Sequence, residues 1–305
     1  MADLRGYLAD NPASDPLAGN YTLVQLEDVV LNFQGLSEKY ELVALTVEPS
    51  GTPPTVLPTL VETSQLQQGD QIGGKHLAMT TGLLSAGGQD AIAGVYDDGG
   101  RLMLHIATND SDGSLQVVAT APIAPVVGVC TVRIAAGRVL DRDCDSIVIA
   151  WVDETRVLNV EPWTAGDLLE PKPTPFRSSA AIGGNVFDLA IGDFDQDGFD
   201  EVAVAWPSAG TDVDARTVLN LSLMPLHFDG AQVAEPIPVG VLGATESFAI
   251  TSGAFDTTPV CDQIAVAWGD AGGNANLVVY STDAHGRLKR RGTPYTDTTY
   301  PLTGS

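Results

Sequence analysis

One sequence pattern occurs four times in this chain of 305 residues. Each copy has an apolar run, a glycine, a loop, an aspartate and a second apolar run that ends in an aromatic residue. The glycines are 55, 55 and 61 residues apart, and the aromatic residue always follows the aspartate by six positions. Such a near-constant period restricts the chain to folds built from one repeated unit. The four sets are Gly82, Asp90 and Tyr96; Gly137, Asp145 and Trp151; Gly192, Asp200 and Trp206; and Gly253, Asp262 and Trp268.

Each copy predicts a strand, a tight loop and a second strand, because apolar and polar residues alternate and Gly, Pro, Asn and Asp lie between the runs. Two further apolar runs follow each copy, for example LMLHIAT and LQVVATAPI after the first. Each repeat is therefore predicted to be a four-stranded antiparallel sheet. Repeated sheets of this length are typical of the blades of a β-propeller, where each sheet packs on its neighbours.

The predicted fold is all-β: a single β-propeller domain over residues 1–305, built from four-stranded antiparallel blades. A fifth, degenerate copy has Tyr40 at the aspartate position, so the chain supplies about five blades. The number of blades leaves open whether they close a ring or form an arc of a larger one. The tryptophans at the ends of the second strands are expected to pack between blades. The repeats are centred near 29–47, 77–96, 132–151, 187–206 and 248–268.

Two further features concern the connections in this fold. The proline-rich stretch EPWTAGDLLEPKPTPF, residues 161–176, is predicted to be a long surface connection between blades. The three cysteines, Cys130, Cys144 and Cys261, have no CxxC spacing, which disfavours a structural zinc site and a disulfide-dense scaffold. Cys130 and Cys144 could bridge the ends of one hairpin or stay reduced, and the sequence leaves both open.

The charge of the chain limits its partners. With 39 acidic and 15 basic residues the net charge is −24, which would repel nucleic acid and anionic lipid headgroups. The longest apolar stretch, 121–137, contains Arg133 and two prolines, so no membrane insertion is expected. The N-terminal residues lack a basic start followed by an apolar run, so this sequence predicts no signal peptide. Cations and neutral ligands are the favoured partners.

The loop of the third repeat has the residue pattern of a calcium site. Calcium takes six to eight oxygen ligands, and a loop supplies them with acids at positions 1, 3 and 5, a glycine at 6, a carbonyl at 7 and a closing acid. Residues 193–201 fit this spacing, which resembles the start of an EF-hand loop, although strands flank it and position 12 is Val204. The alternative is a solvated acidic turn. The predicted calcium ligands are Asp193, Asp195, Asp197, the carbonyl of Phe199, and Glu201.

The other repeats depart from this pattern and are predicted to be metal-free. In the second repeat the guanidinium of Arg142 is expected to occupy the place of the cation. The aspartates shared by the other repeats are expected to cap backbone amides of their turns. The residues at the ligand positions are Leu83, Ser85 and Gly87 in the first repeat, Arg138, Leu140 and Arg142 in the second, and Asp256 in the fourth; the shared aspartates are Asp90, Asp145 and Asp262.

No sequence motif indicates catalysis. The four histidines are scattered without HExxH, there is no GxSxG or GxxxxGK motif, and no spacing selects a pair of carboxylates for glycoside hydrolysis. The favoured hypothesis is a non-catalytic binding module that presents loops to a protein or carbohydrate partner. The alternative is a propeller-fold carbohydrate-active enzyme, a hydrolase or lyase, with a carboxylate pair in its central funnel.

The stretch GDFDQDGFDEV at 192–202 resembles the FG-GAP repeat of integrin-α-like β-propellers, and is similar to repeats of bacterial extracellular proteins and lectins. The resemblance covers roughly residues 70–285 and is specific in the third repeat. It implies calcium in the hairpin between the first two strands of a blade, where the ion stiffens the blade. It also implies an extracellular or cell-surface location. A third hypothesis, beside the binding module and the enzyme, is a purely structural module of a larger assembly, which shares the fold and has no small ligand. The ligand roles carry over only to Asp193, Asp195, Asp197, Phe199 and Glu201.

Overall fold

The computed structural model shows a chain whose regular elements, in the described part, are all β-strands. No helix in that part is long and apolar enough to cross a membrane. The chain divides into two compact units, residues 1–73 with 109–116 and residues 74–108 with 117–305. The described residues are 29–34, 40–50, 57–65, 75–84, 91–109, 115–125, 131–165, 169–171, 176–177, 182, 186–209, 217–226, 235–243, 247–255, 261–283 and 285–297.

The first unit contains a three-stranded antiparallel sheet at the degenerate copy of the repeat. Its strands β1 (Val29–Gln34), β2 (Tyr40–Ser50) and β3 (Leu57–Gln65) are paired in chain order. The hairpin β1–β2 closes with Gln34 opposite Tyr40. The two strands expected over residues 29–47 are thus present and paired, while the connection between them, residues 35–39, lies outside the described residues.

The second unit is built around four sheets, one for each clear copy, in which successive strands pair antiparallel. Sheet 2 has two short segments that both pair with its third strand, so the fourth position is interrupted. The prediction of repeated four-stranded antiparallel sheets is confirmed. Sheet 1 has β4 (Lys75–Gly82), β5 (Ala91–Asp97), β6 (Arg101–Asn109) and β7 (Leu115–Pro125); sheet 2 has β8 (Thr131–Gly137), β9 (Ser146–Val152), β10 (Leu158–Ala165), β11 (Leu169–Pro171) and β12 (Phe176–Arg177); sheet 3 has β13 (Asp188–Gly192), β14 (Glu201–Ala209), β15 (Thr217–Met224) and β16 (Ile237–Val241); sheet 4 has β17 (Phe248–Gly253), β18 (Gln263–Gly269), β19 (Ala275–Thr282) and β20 (Leu288–Asp297).

The four sheets are stacked in chain order. The first strands of consecutive sheets are neighbours, since β8 contacts β4 and β13, and β13 contacts β17. One apolar cluster lies between each pair of consecutive sheets. In β9, Ile147 and Ile149 face sheet 1 while Val148 and Ala150 face sheet 3. Because both of its faces are packed, the second strand is a continuous apolar run and not an alternating one.

The tryptophans and the proline-rich stretch give two outcomes. Trp151 and Trp268 are each 7% exposed within the clusters between sheets, as predicted, and Trp206 is half-buried against the cluster between sheets 2 and 3. The prediction of a surface connection over 161–176 is wrong, because residues up to Ala165 belong to β10 and Trp163 is 2% exposed in the core. Burial of that indole outweighs the proline signals around it.

Cys144 and Cys261 are free thiols, and Cys130 lies outside the described residues.

Candidate metal centre

The acidic loop of the third repeat connects β13 to β14 and turns sharply at two positions. Gln196 and Gly198 have positive φ angles of 68° and 87°. The amide of Asp197 donates to Oδ1 of Asp195 at 3.1 Å, and the amide of Phe199 donates to Oδ1 of Asp197 at 2.8 Å. These consecutive side-chain-to-backbone turns are the local structure that Asp and Gly favour. They fold the loop back on itself, so that side chains two residues apart approach one another.

The three aspartates of this loop converge. One carboxylate oxygen from each of Asp193, Asp195 and Asp197 lies within 4.8 Å of the others. Asp195 is exposed, and the other two are partly buried. The sequence prediction that these three alternate acids meet is therefore confirmed, and the group can hold a metal ion. An all-oxygen set of this kind suits hard cations such as calcium or magnesium.

Glu201 lies beneath this group as the first residue of β14. It is 1% exposed; its Oε2 accepts the amide hydrogen of Phe194 at 2.9 Å, while Oε1 is buried without a hydrogen bond from any described residue. Burial, and to a smaller extent the charges of the three aspartates, raise the pKa of Glu201 to about 8. Glu201 is thus electrostatically coupled to the aspartates, although it is not one of the three converging carboxylates. Its role as a ligand, and that of the Phe199 carbonyl, remain predictions.

Asp193 has a second buried oxygen of this kind. Its Oδ1 receives no hydrogen bond from the described residues, as is also true of Oε1 of Glu201. Buried polar atoms are normally paired, and an unpaired one costs about 1–3 kcal/mol. Two such oxygens at the acidic loop are therefore the kind of atoms that a bound cation would satisfy.

Arg142 does not take the place of a cation in its own repeat, so that prediction is wrong. Its guanidinium extends to the loop of the third repeat, where Nη2 donates to the carbonyl oxygen of Asp197 at 2.6 Å and Cζ lies 4.4 Å from the ring centroid of Phe199. Arg142 and Asp197 are 55 residues apart, which is the repeat period. The repeat period therefore places Arg142 and Asp197, which hold the same position in consecutive repeats, next to each other across the two sheets.

The shared aspartates cap backbone amides, but those amides belong to the preceding repeat. Asp145 accepts from the amide of Leu83 at 2.8 Å and donates its own amide to the Leu83 carbonyl, also at 2.8 Å. Asp200 makes the same pair of bonds with Arg138. The expected capping is thus present for Asp145, while the expectation that it occurs within the same turn is wrong. Stacking places the loop of one sheet within hydrogen-bond distance of the loop of the preceding sheet. We call each such pair of bonds a clasp.

The third clasp reaches the metal centre itself. Asp262 accepts from the amide of Asp193 at 3.2 Å and donates its amide to the Asp193 carbonyl at 3.0 Å. The hydroxyl of Thr282 in β19 also donates to the carbonyl of Phe194. The acidic loop is therefore held by sheet 4 on one side and, through Arg142 and the Asp200 clasp, by sheet 2 on the other.

The glycines of the first three repeats lie where these clasps form. A Cβ atom at Gly82 would lie 2.8 Å from Oδ2 of Asp145, and one at Gly137 would lie 2.9 Å from Oδ2 of Asp200 and 2.4 Å from a methyl carbon of Ile191. Separations below 3.0 Å are not found for real Cβ atoms. Glycine is needed because the next sheet approaches the backbone here.

The loops of the first and fourth repeats are only partly described. Asp90 and Asp256 lie outside the described residues, as do Ser85 and Gly87. Among the described residues, the converging group at 193–197 is the one set of three or more metal-ligating side chains. The prediction that the first, second and fourth repeats are metal-free stays a prediction.

The comparisons with known proteins give no family. No family model matches this chain, and no curated protein matches it. Among solved structures, the crystal structure of AofleA from Arthrobotrys oligospora is similar, with a TM-score of 0.48 and 12% sequence identity. The similarity covers 85% of this chain and 71% of that one.

Proposed function

We propose that this chain is a non-catalytic binding module with a β-propeller architecture, stabilised by calcium, that presents loops to a protein or carbohydrate partner. The observation that carries the proposal is the convergence of Asp193, Asp195 and Asp197 within 4.8 Å. In the absence of a cation, three carboxylates at this separation repel one another. A fold that brings them together gains stability when a cation binds between them.

The residues at the loop fit calcium. The three aspartates stand at alternate positions, and Gly198 makes the turn with φ of 87°. Asp193 and Glu201 each have a buried oxygen that receives no hydrogen bond from the part of the chain that the structure describes. Calcium accepts an irregular set of six to eight oxygens, whereas magnesium requires a near-octahedral one. A loop that combines side-chain and backbone oxygens therefore supports calcium as the ion. The predicted set is completed by the carbonyl of Phe199 and by water.

The propeller architecture is supported by the stacking of sheets 1 to 4 through their first strands and the apolar clusters between them. With the hairpin at residues 29–47, the chain supplies about five blades. The FG-GAP-like sequence of the third repeat supports the same architecture. We infer that the cation acts on the stack, because its loop is bonded to both neighbouring sheets.

The proposed partner is neutral or cationic, since the net charge of −24 disfavours nucleic acid and anionic surfaces. Extracellular modules bind calcium with dissociation constants of roughly 10⁻⁴ to 10⁻³ M. A loop that offers one exposed and two partly buried aspartates fits this range better than a closed cage. We therefore propose that the protein functions outside the cell or at its surface, where calcium is abundant.

A thermal melt with excess calcium and with a chelator tests the metal site. Calcium at 100 times its dissociation constant should add about 3 kcal/mol to the free energy of unfolding. Asp195→Ala removes one of the three converging carboxylates and should abolish this gain. Glu154→Ala is the matched control, because Glu154 is an exposed acid in the β9–β10 turn. A wild-type melting temperature that does not respond to calcium would refute the calcium site.

The class of partner is tested separately on calcium-loaded protein. Binding to immobilised oligosaccharides without turnover would support a carbohydrate-binding module, and capture of a defined extracellular protein would support a protein-binding one. Release of shorter products from the same oligosaccharides would instead support the alternative of a carbohydrate-active enzyme.

A further inference from the structure

The contacts of Arg142 concentrate on one short segment of the acidic loop. Nη2 donates to the carbonyl oxygen of Asp197, and the guanidinium lies over the ring of Phe199. Between these two points lies Gly198, and a Cβ atom built there would meet Arg142 side-chain atoms at 3.5 to 3.9 Å. The guanidinium therefore spans three consecutive residues, two of which are predicted cation ligands.

We propose that Arg142 is a positioning residue for the cation site of the next repeat. It fixes the peptide units from Asp197 to Phe199, and so the directions of the Asp197 carboxylate and the Phe199 carbonyl. The inference rests on the proposed function, because it assigns a role in cation binding. The inference goes beyond the proposed function because it places a determinant of cation affinity in sheet 2, outside the acidic loop.

The geometry favours positioning over a role as counter-charge. Arg142 contacts a backbone carbonyl and an aromatic face, both of which use the planar guanidinium in a defined orientation. Its positive charge acts in the opposite sense, since it repels a cation bound nearby. Positioning therefore predicts weaker cation binding when Arg142 is removed, whereas a competing charge predicts tighter binding.

The loop that carries Arg142 is itself held against the acidic loop. Arg138 is clasped by Asp200, and its guanidinium lies 3.5 Å from the Asp200 carboxylate. Asp200 immediately precedes Glu201. The two loops are thus joined at the base by this clasp and at the tip by Arg142. Partners of this kind, which orient ligands without touching the metal, typically change metal affinity 10–100-fold when mutated.

Calcium titrations by calorimetry, on protein first stripped with chelator, test the proposal. We expect Arg142→Ala to raise the dissociation constant for calcium about tenfold. This is the lower end of the 10–100-fold range, because the contact is exposed. Arg142→Lys keeps the charge but loses the planar group, and we expect it to behave like Arg142→Ala. Arg101→Ala is the control: it removes another exposed arginine, at the start of β6, and should leave the affinity unchanged.

A second readout separates positioning from a purely structural role. In chelator, amide hydrogen exchange at residues 197–199 should be faster in Arg142→Ala than in the wild type, while the melting temperature changes little. Unchanged or tighter calcium binding by Arg142→Ala would overturn the proposal, as would wild-type affinity in Arg142→Lys. If the wild type itself binds no calcium, the proposed function fails and this inference fails with it. If the wild type binds and Asp195→Ala does not, only the role of Arg142 is in question.

Discussion

Replacing Glu201 by glutamine tests the electrostatics of the acidic loop directly. Glutamine has nearly the same shape, keeps an oxygen to accept the Phe194 amide hydrogen, and does not titrate. In the folded protein without cation the pKa of Glu201 is raised from 4.5 to about 8, first by burial and then by Asp195, Asp197 and Asp193. The side chain is 1% exposed, so solvent screens these effects little.

The sign of the effect on stability follows from the two pKa values. Below pH 4.5 the carboxyl group is protonated in both folded and unfolded chains and contributes nothing. Between pH 4.5 and 8 the unfolded chain loses the proton while the folded chain keeps it, so the free energy of unfolding falls as the pH rises. Each pKa unit corresponds to about 1.4 kcal/mol, which gives a destabilisation of about 3 kcal/mol at pH 7. Above pH 8 the loss is complete.

Urea denaturation in chelator at pH 5, 6, 7 and 8 measures this effect. We expect Glu201→Gln to gain stability relative to the wild type by about 3 kcal/mol between pH 5 and pH 8. Glu154→Gln, an exposed acid, should show no such trend. Calcium should restore the stability that the wild type loses through Glu201, whereas Glu201→Gln has no such loss to recover. Binding of calcium to the wild type should release a proton below pH 8. A stability difference that is the same at pH 5 and pH 8 would refute the reasoning.

Two further predictions concern the clasps between sheets. Gly137→Ala places a Cβ atom 2.4 Å from a methyl carbon of the next sheet. We expect this substitution to lower the free energy of unfolding by about 2 kcal/mol, measured by denaturation monitored through tryptophan fluorescence. In the control Gly99→Ala the new Cβ atom has no neighbour within 4 Å, so only the positive φ should cost stability, about 1 kcal/mol. Asp145→Ala leaves the Leu83 amide without its acceptor and should lower the free energy of unfolding by about 1–3 kcal/mol. The control Asp143→Ala, at an exposed position, should change it little. Equal losses of stability in the two variants would contradict an inter-sheet role for Asp145.

The candidate site shows how far residue spacing can predict chemistry. The alternation of Asp193, Asp195 and Asp197 was enough to predict their convergence, because a tight loop with glycine after the third acid has few ways to fold. The spacing did not predict that Glu201 is buried with a pKa of about 8, since burial depends on the sheets packed around β14. Nor did it predict the contact of Arg142, which needs the next sheet in place.

The repeat, the four-stranded antiparallel sheets and the acidic loop could be predicted from the sequence, because they depend on period, alternation and turn residues that act locally. The roles of the repeated glycine and aspartate, in contrast, depend on how the sheets pack. Their partners are in the neighbouring sheet, as with Asp145 and Leu83, whereas the residues of a single repeat predict a cap within its own turn. Stacking creates these contacts, because a single sheet cannot bury its own apolar faces and must pack against the neighbouring sheets.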